Sequence, residues 1–258
     1  MSFFDWIIKI LSEYGLSFLR GTGYTLIMAI VGTVAGFIIG LLVSLVRVIP
    51  VSPSDSGFKK VLLKVVNFIL SVYVEVIRGT PMMVQALIIH YSLFVPLRVP
   101  PLLSAIIIIS VNTGAYMAEI VRGGIISIDK GQFEGAHAIG MSHFQTMIYV
   151  VLPQAIRNIM PSIGNEFVVN IKDSSVLSVI SIAELMFMSN SAGGAYAKFI
   201  PAYVICAAIY FVLTFTVTRL LRLLERKMDG NENYVVFGSQ SDPDAEIKVK
   251  VEKENEYN

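Results

Sequence analysis

Ionisable side chains interrupt the apolar stretches of this sequence at several positions. Two pairs, Glu75 with Arg78 and Glu119 with Arg122, are each three residues apart, so both members would face the same side of a helix. A charge near the centre of a bilayer costs at least ~2.5 to 3.5 kcal/mol on insertion scales. Each pair is therefore predicted to neutralise itself inside a helix bundle, in a structural or gating role.

A second set of polar residues lies in the fourth apolar stretch of the chain. Asn165, Glu166 and Asn170 span about one to one and a half helical turns and are expected to share a face. Carboxylate and amide groups on one face suit a zwitterionic ligand, and they serve equally well in helix packing. The adjacent Lys172 and Asp173 should point apart, and we assign them structural or gating roles.

Asn112 and Tyr116, four residues apart, form a further candidate cavity face, with packing as the alternative. The sequence contains no HExxH, GxSxG or GxxxxGK[ST] pattern, so zinc hydrolysis, serine hydrolysis and self-contained ATP hydrolysis lack their usual residues. His90, His137 and His143 are too scattered to indicate a metal site. We therefore predict neither an enzyme nor a bound metal or cofactor.

The composition of the chain indicates whether these polar groups lie in water or in a lipid bilayer. The chain of 258 residues is 55% hydrophobic and 15% charged, with a mean hydropathy of +0.69. Its apolar blocks match the roughly 20 residues that a helix needs to cross the hydrocarbon. Runs such as Ala105 to Val111 lack the alternation of a membrane barrel, and the single Cys206 excludes an intrachain disulfide. The sequence therefore predicts an all-α membrane protein.

Five hydrophobic units are expected to form the membrane part, two of them broken by proline. Proline donates no backbone hydrogen bond and disfavours helix at the residue before it. Glycines at 32, 36 and 40 of the first unit would allow close approach of another span or subunit. The units are Tyr24 to Val48, Val61 to Val95 (broken at Arg78 to Pro81), Leu102 to Ile126, Ile148 to Phe187 (expected to be discontinuous because it contains Pro153, Pro161 and several polar groups), and Tyr196 to Leu224.

The two ends of the chain differ from this membrane domain, which we place at residues 21–228. Residues 1–20 read as an uncleaved amphipathic segment, with a helix from Phe3 to Phe18 and with Trp6 and Tyr14 as interfacial anchors. A frayed leader is the alternative. Residues 229–258 are strongly charged and are predicted to be a solvated, disordered cytoplasmic tail, to which we assign no function.

Basic residues are distributed unequally between the two sides of the predicted spans. One side carries Arg47, Lys59, Lys60, Lys64, Arg122, Lys130, Arg157, Arg219, Arg222, Arg226 and Lys227, whereas the other carries only Lys9, Arg20, Arg98 and Lys198. Lys and Arg concentrate in cytoplasmic loops. We therefore expect an amino terminus outside the cell, a carboxyl terminus inside and five crossings.

The cytoplasmic loop between the third and fourth units shows two helix starts. Asp129 precedes Gln132 by three residues, and Ser142 precedes Gln145 by the same interval, which is the spacing of a capping box. Gly140 lies where the first helix would end in a left-handed residue. A short exposed helix, from about Gly131 to Ile139, is therefore expected to turn sharply into a second one.

These residues also carry a family resemblance. Glu134-Gly135-Ala136, Gly140 and, after nine residues, Val150 to Pro153 resemble the EAA signature of binding-protein-dependent ABC permeases. Four more segments are similar to the polar amino acid branch of that family: Arg78 to Pro81, Ala115 to Gly124, Leu152 to Ala155 and Asn170 to Ser175. The resemblance covers about Gly21 to Asp229. It departs from the pattern at Gly135, where alanine is usual, and at His137.

The resemblance implies a type I ABC importer permease whose loop helix couples it to a separate cytoplasmic ATPase subunit, which binds the ATP. The implied coupling residues are Phe133, Glu134, Gly135, Ala136, Ile139 and Gly140, with Phe133, Ala136 and Ile139 as an apolar docking stripe. A second permease copy or a related permease, an extracytoplasmic amino-acid-binding protein and membrane lipid are the other implied partners, and no nucleic acid is. The implied location is the bacterial cell membrane, and the implied cargo is a polar L-amino acid of the glutamine, glutamate, arginine or histidine class.

A secondary transporter that works without ATP is the alternative function. Such transporters also use midplane charges and broken helices. They usually consist of two related halves, and this sequence shows no internal repeat. Dependence of uptake on a separate ATPase would separate the two functions.

Overall fold

The computed structural model of the chain describes residues 1–51 and 56–229. Within these two ranges the chain forms α-helices and a few short π- or 3₁₀-helical segments, and it contains no strand. The all-α fold predicted from the sequence is thus confirmed, and the predicted tail lies, apart from Asp229, outside the described residues. The helices are α1 (Phe3–Arg47), α2 (Gly57–Gly79), α3 (Met82–Ile89), α4 (Pro101–Ile126), α5 (Lys130–Ala138), α6 (His143–Thr146), α7 (Leu152–Asp173), α8 (Leu185–Tyr196) and α9 (Phe199–Asp229).

Helix α1 is one continuous helix of 45 residues, so the predicted helix from Phe3 to Phe18 does not end before the first span begins. At 1.5 Å per residue it is roughly 67 Å long, about twice the ~30 Å of the hydrocarbon layer. Its first part is held by packing, because Ile10 and Phe18 are buried against α8 and α9. The rings of Trp6 and Tyr14 lie 5.4 and 6.1 Å from that of Tyr196.

Helices α1 and α4 approach each other closely along the glycine row of α1. A methyl group at Gly36 would lie 2.7 Å from Thr113 Cβ, which is closer than packed side chains allow. A methyl group at Gly40 would lie even closer to Met117 Cβ, and the hydroxyl of Ser44 donates to the carbonyl of Ala118. The small residues of α1 therefore pack within this chain, against α4, as small residues do in membrane helix pairs.

The predicted break at Arg78 to Pro81 is confirmed, and Gln85 fills it. Helix α2 ends at Gly79 because Pro81 cannot continue its hydrogen bonds. The Nε2 atom of Gln85 donates to the carbonyls of Ile77 and Thr80, at 2.8 and 3.0 Å. Its Oε1 atom accepts from Asn112 Nδ2 at 2.9 Å, so the break is tied to α4. A glutamine side chain thus satisfies backbone groups that would otherwise be left open in the membrane.

The fourth unit is also discontinuous, but its prolines are not the cause. Pro153 follows Leu152 and the π-helical turn Met147–Val151, the helical conformation continues through it, and α7 also continues through Pro161. A proline inside a helix costs roughly 3 kcal/mol, which packing against α1, α4 and α9 can offset. The break comes later, after the 3₁₀ segment Ser174–Ile180, where Ser181 takes a left-handed conformation. The helical stretches before and after it are bent by 54°.

By length and composition, three helices in the described ranges can cross a membrane, α1, α4 and residues Phe199–Leu224 of α9. The bent unit of α6 to α8 would be a fourth. A fifth crossing would require α2 together with α3 and the π-helical turn His90–Phe94. Helix α2 has 23 residues, enough to span, but it carries Lys59, Lys60, Lys64, Glu75 and Arg78. Five crossings therefore remain a prediction.

Candidate coupling surface and membrane cavity

The loop between α4 and α7 forms the helix-turn-helix that the sequence predicts. Gly140 has a φ of +84°, a left-handed conformation that glycine adopts without strain. At the second helix, Ser142 N–H donates to Gln145 Oε1 at 2.9 Å and Gln145 N–H donates to Ser142 Oγ at 3.3 Å. This capping box is therefore confirmed, and it fixes the direction in which the chain leaves the turn.

The first predicted capping box is wrong in its second half. The side chain of Asp129 accepts from the N–H of Gly131 at 2.6 Å, so it caps α5. Gln132 does not return a bond to Asp129, because its Oε1 accepts instead from Gln154 Nε2 at 3.3 Å. A contact with α7 thus replaces the local bond, and it ties α5 to the membrane helices.

The predicted docking stripe of Phe133, Ala136 and Ile139 is also wrong as a single exposed face. Phe133 packs against a cluster that includes Val121, Val151 and Ile159, and Ala136 is buried, whereas Ile139 is 80% exposed. Residues at three-residue steps share a face only while the helix lasts, and α5 ends at Ala138. Phe133 joins α5 to an apolar cluster that contains residues of α4 and α7.

The residues that α5 and the turn expose to solvent differ from those of the predicted docking stripe. Glu134, Gly135, His137, Ala138, Ile139 and Gly140 are all exposed. Phe144, at the start of α6, is 71% exposed. Two large apolar side chains, Ile139 and Phe144, therefore flank the left-handed turn. We call the exposed residues 134, 135 and 137–140 together with Phe144 the coupling surface.

An ionic cluster joins the ends of α1 and α4 near this surface. Glu119 accepts from Arg122 Nε at 3.0 Å and from Arg122 Nη2 at 2.7 Å, which confirms the predicted pair. It also pairs with Arg47, which sequence spacing did not reveal because Arg47 lies on another helix. One carboxylate thus holds two guanidinium groups, a charge-assisted arrangement that stiffens the base of the coupling surface.

The predicted pair of Glu75 and Arg78 does not form in the described part of the chain. Both residues are exposed on α2, and the Arg78 guanidinium lies over the Tyr116 ring, 5.5 Å from its centroid. The spacing of three residues permits a bond between them but does not require one. Helix α2 ends one residue after Arg78, and an aromatic face on α4 is the available alternative.

Tyr116 is the centre of a polar face made by α2, α4 and α7. Its hydroxyl lies within electrostatic range of Arg78, Glu166 and Asp173. Glu166 is only 3% exposed, Asp173 is half-buried, and Lys172 beside it points out to an exposed position. Two carboxylates and a cation therefore lie within electrostatic range of one phenol. Groups of both charges in one place are what a zwitterionic ligand needs.

Two of the predicted ligand residues are instead engaged within the bundle. Asn170 donates through Nδ2 to Thr33 Oγ1 at 2.8 Å and accepts at Oδ1 from Thr113 Oγ1 at 2.9 Å. Asn112 is buried and donates to Gln85, as described for the break after α2. Their amides join α1, α4 and α7, so both asparagines position the cavity rather than line it. Asn165 is half-buried on α7.

The sequence did not reveal a buried carboxylate at the second break. Glu184 is 0% exposed, and it caps α8 by accepting from the N–H groups of Met186 and Phe187 at 2.9 and 2.7 Å. The Tyr210 hydroxyl of α9 donates to the same carboxylate at 2.8 Å. The signal in the sequence was a single acidic residue inside an apolar stretch, which indicates a helix N-terminus at membrane depth.

Within residues 1–51 and 56–229, no group of three or more His, Cys, Asp or Glu side chains is placed to hold a metal ion. The three histidines belong to separate elements: His90 to a π-helical turn, His137 to α5 and His143 to α6.

Comparison with known proteins places these features in a family pattern. Residues 60–230 match the family described as binding-protein-dependent transport system inner membrane component. The glutamine transport system permease protein GlnP of Escherichia coli K12 is 35% identical over 213 residues, which are 81% of this chain and 92% of that protein. The L-cystine transport system permease protein TcyB of Bacillus subtilis 168 is 37% identical over 212 residues, with coverages of 81% and 85%.

A solved structure of a transporter also resembles this chain. One described as the crystal structure of an amino acid ABC transporter with histidines has a TM-score of 0.73 and 35% sequence identity to this chain. The match covers 88% of this chain and 99% of that one. The residues matched by the family pattern include the whole helix-turn-helix and all of α7.

Proposed function

Because this chain belongs to the family of binding-protein-dependent transport system inner membrane components, we propose that it forms the pathway of an ATP-driven importer of polar L-amino acids. Membership makes it a membrane transport component and not an enzyme. Its fold is the type I ABC importer permease fold that the resemblance implied. The cargo, the coupling to a separate ATPase and the partners are the parts that we propose.

The packing of α5 against the membrane helices is the observation that supports the coupling role. The inward face of α5 is packed through Phe133 against an apolar cluster of α4 and α7 residues, Ala136 on that face is buried, and α5 is followed by the turn at Gly140. An ATPase that opens and closes can move membrane helices only through a stiff element that contacts both parts. The coupling surface meets this requirement, and Ile139 and Phe144 offer apolar anchors for a partner cleft.

The cavity face supports a zwitterionic cargo. We assign ligand contacts to Tyr116, Asn165 and Glu166, with Arg78 and Asp173 as neighbouring charges. Glu166 suits the ammonium group of an amino acid, and Arg78 suits its carboxylate. The relatives are named for glutamine and cystine transport, and these names support the proposed cargo class together with this face.

The remaining partners and the orientation complete the proposal. A second copy of this chain or a related permease, two ATPase subunits and an extracytoplasmic binding protein would form the complex in the bacterial cell membrane. The basic residues support a cytoplasmic carboxyl terminus and an amino terminus outside. Arg47 lies at the α5 end of α1, and Lys9 lies at the opposite end of the same helix, near Lys198.

The decisive experiment is uptake by the reconstituted complex. The permease, its ATPase and its binding protein in proteoliposomes should import a radiolabelled polar amino acid only with ATP inside. A panel of L-glutamine, L-glutamate, L-arginine, L-histidine and L-cystine identifies the cargo. Uptake by the permease alone, driven by an ion gradient, would contradict the proposal and favour a secondary transporter.

A further inference from the structure

A polar cavity that is open to solvent lies away from the polar face around Tyr116, and its lining residues are exposed. It has a volume of about 390 Å³ and is lined by Pro153, Gln154, Arg157 and Asn158 of α7. These residues occupy the first turns of α7, beside the coupling surface and away from Glu166, which lies more than two turns further along. The cavity therefore belongs to the coupling end of the molecule, and the proposed membrane pathway does not account for it.

The polar side chains of this cavity are complementary in charge to an amino acid. Positions 154, 157 and 158 share one helix face, because they are three and four residues apart. Arg157 brings five N–H donors in a planar fork, and its guanidinium forms no hydrogen bond or ion pair in the described part of the chain. It can accept a carboxylate in the two-pronged geometry that arginine favours.

The two amides supply the opposite polarity. Gln154 donates through Nε2 to the carbonyl of Val150 at 2.7 Å and to Gln132 Oε1 at 3.3 Å. Asn158 donates through Nδ2 to Ser127 Oγ at 3.5 Å. Because both amides are oriented by donation from nitrogen, their oxygens remain as acceptors for an ammonium group. Donors and acceptors are thus set one helical turn apart on one wall.

We propose that this cavity is a binding site for a zwitterionic α-amino acid on the cytoplasmic side of the permease. Arg157 binds the carboxylate, and the side-chain oxygens of Gln154 and Asn158 bind the ammonium group. The site rests on the proposed function and deepens it, because it gives the cargo a second binding site after the polar face around Tyr116. It also touches the coupling apparatus, since Gln154 and Asn158 carry the bonds to Gln132 and Ser127 at the two ends of the α4–α5 connection.

The test measures equilibrium binding to the complete permease–ATPase complex in lipid nanodiscs, without binding protein and without nucleotide. The permease carries Glu166→Gln, which removes the carboxylate of the membrane cavity and isolates the second site. Radiolabelled L-arginine and L-glutamine are the probes. Agmatine, which is arginine without its α-carboxylate, is the competitor that tests the role of Arg157.

Arg157→Gln should weaken binding of both probes by roughly ten-fold or more, because a charge-assisted pair is lost. Agmatine should compete at least roughly ten-fold more weakly than unlabelled L-arginine, for the same reason. Lys64→Gln is the matched control, since it removes one exposed positive charge on α2, remote from the cavity, and it should leave binding unchanged.

Three results would overturn the site. Equal binding by Arg157→Gln and Lys64→Gln would show that the guanidinium holds no carboxylate. Probe binding that changes with the phosphatidylglycerol content of the nanodisc, and that neither unlabelled amino acid displaces, would identify a lipid headgroup site. Loss of ATPase or permease subunits from Arg157→Gln would show that Arg157 pairs across a subunit interface. Failure of ATP-driven uptake with this binding intact would refute the proposed function and leave the site standing.

Discussion

Replacing Gly140 by valine should uncouple the permease from its ATPase while leaving the membrane helices folded. Gly140 has a φ of +84°, and a Cβ atom built on it would meet nothing within 4 Å. The valine side chain therefore has room, and the penalty comes from the backbone alone. A left-handed conformation costs an L-residue roughly 1 to 2 kcal/mol, and β-branched residues tolerate it least.

Two substitutions in the same loop separate backbone strain from other effects. Asparagine adopts the left-handed conformation more readily than other side chains, so Gly140→Asn should retain most of the coupling. Gly135 lies inside α5, where a Cβ atom would also meet nothing within 4 Å. Gly135→Ala should stabilise α5 by about 0.5 to 1 kcal/mol, because alanine is the better helix former.

The assay measures the dissociation constant of the complex between the detergent-solubilised permease and immobilised ATPase subunits. In the free permease the exposed turn relaxes away from the left-handed conformation, and docking must restore it, so a strain of about 1 to 2 kcal/mol corresponds to a roughly 5- to 30-fold weaker complex. The expected order of affinity is Gly135→Ala at or above the natural chain, then Gly140→Asn, then Gly140→Val. Membrane abundance and the thermal unfolding midpoint of the permease alone serve as folding controls.

Equal affinity of Gly140→Val and Gly140→Asn would refute this reasoning, because both place a side chain at the same exposed position and differ in how readily they adopt the left-handed conformation. A loss of membrane abundance in Gly140→Val would also count against it, since the turn lies outside the packed helices. Either result would show that this turn does not couple the permease to its ATPase.

Three further outcomes follow from the same structure. Asn170→Leu should lower the thermal unfolding midpoint by the equivalent of about 0.6 to 2 kcal/mol, because two buried hydroxyl partners are lost; an unchanged midpoint would contradict the role we give its amide. Glu184→Leu should reduce membrane abundance more than Glu184→Gln, whose amide oxygen still caps α8, and quantitative immunoblots can rank the two. Truncation after Asp229 should leave ATP-driven uptake near its natural rate, and loss of subunit assembly would show that the tail is a docking element.

The elements that the sequence predicted correctly depend on local rules. The break at Arg78 to Pro81 follows from proline chemistry, and the turn at Gly140 follows from helix capping. The third unit was placed within one residue of α4, because its apolar run begins after Pro100 and ends where the chain becomes polar. Each signal lies within a few residues of the structure it determines.

The errors arose where a distant part of the chain supplied the partner. Gln132 was expected to cap its own helix, and it bonds to Gln154 instead. Pro161 was expected to break α7, and packing against three other helices keeps α7 continuous. Arg78 was expected to pair with Glu75, and it lies over Tyr116. In each case the local interaction was allowed, but a tertiary contact was preferred.

The sequence by itself determined that this chain crosses a membrane, where the helix-turn-helix between α4 and α7 begins and ends, and which family it resembles, because composition, capping and motif spacing are written along the chain. Only the tertiary structure decided which partner each polar group has. Asn112 and Asn170 bond to Gln85, Thr33 and Thr113, whereas Tyr116 lies within electrostatic range of Arg78 and Glu166. A buried amide binds whichever partner packing brings to it, and helices far apart in sequence bring those partners together.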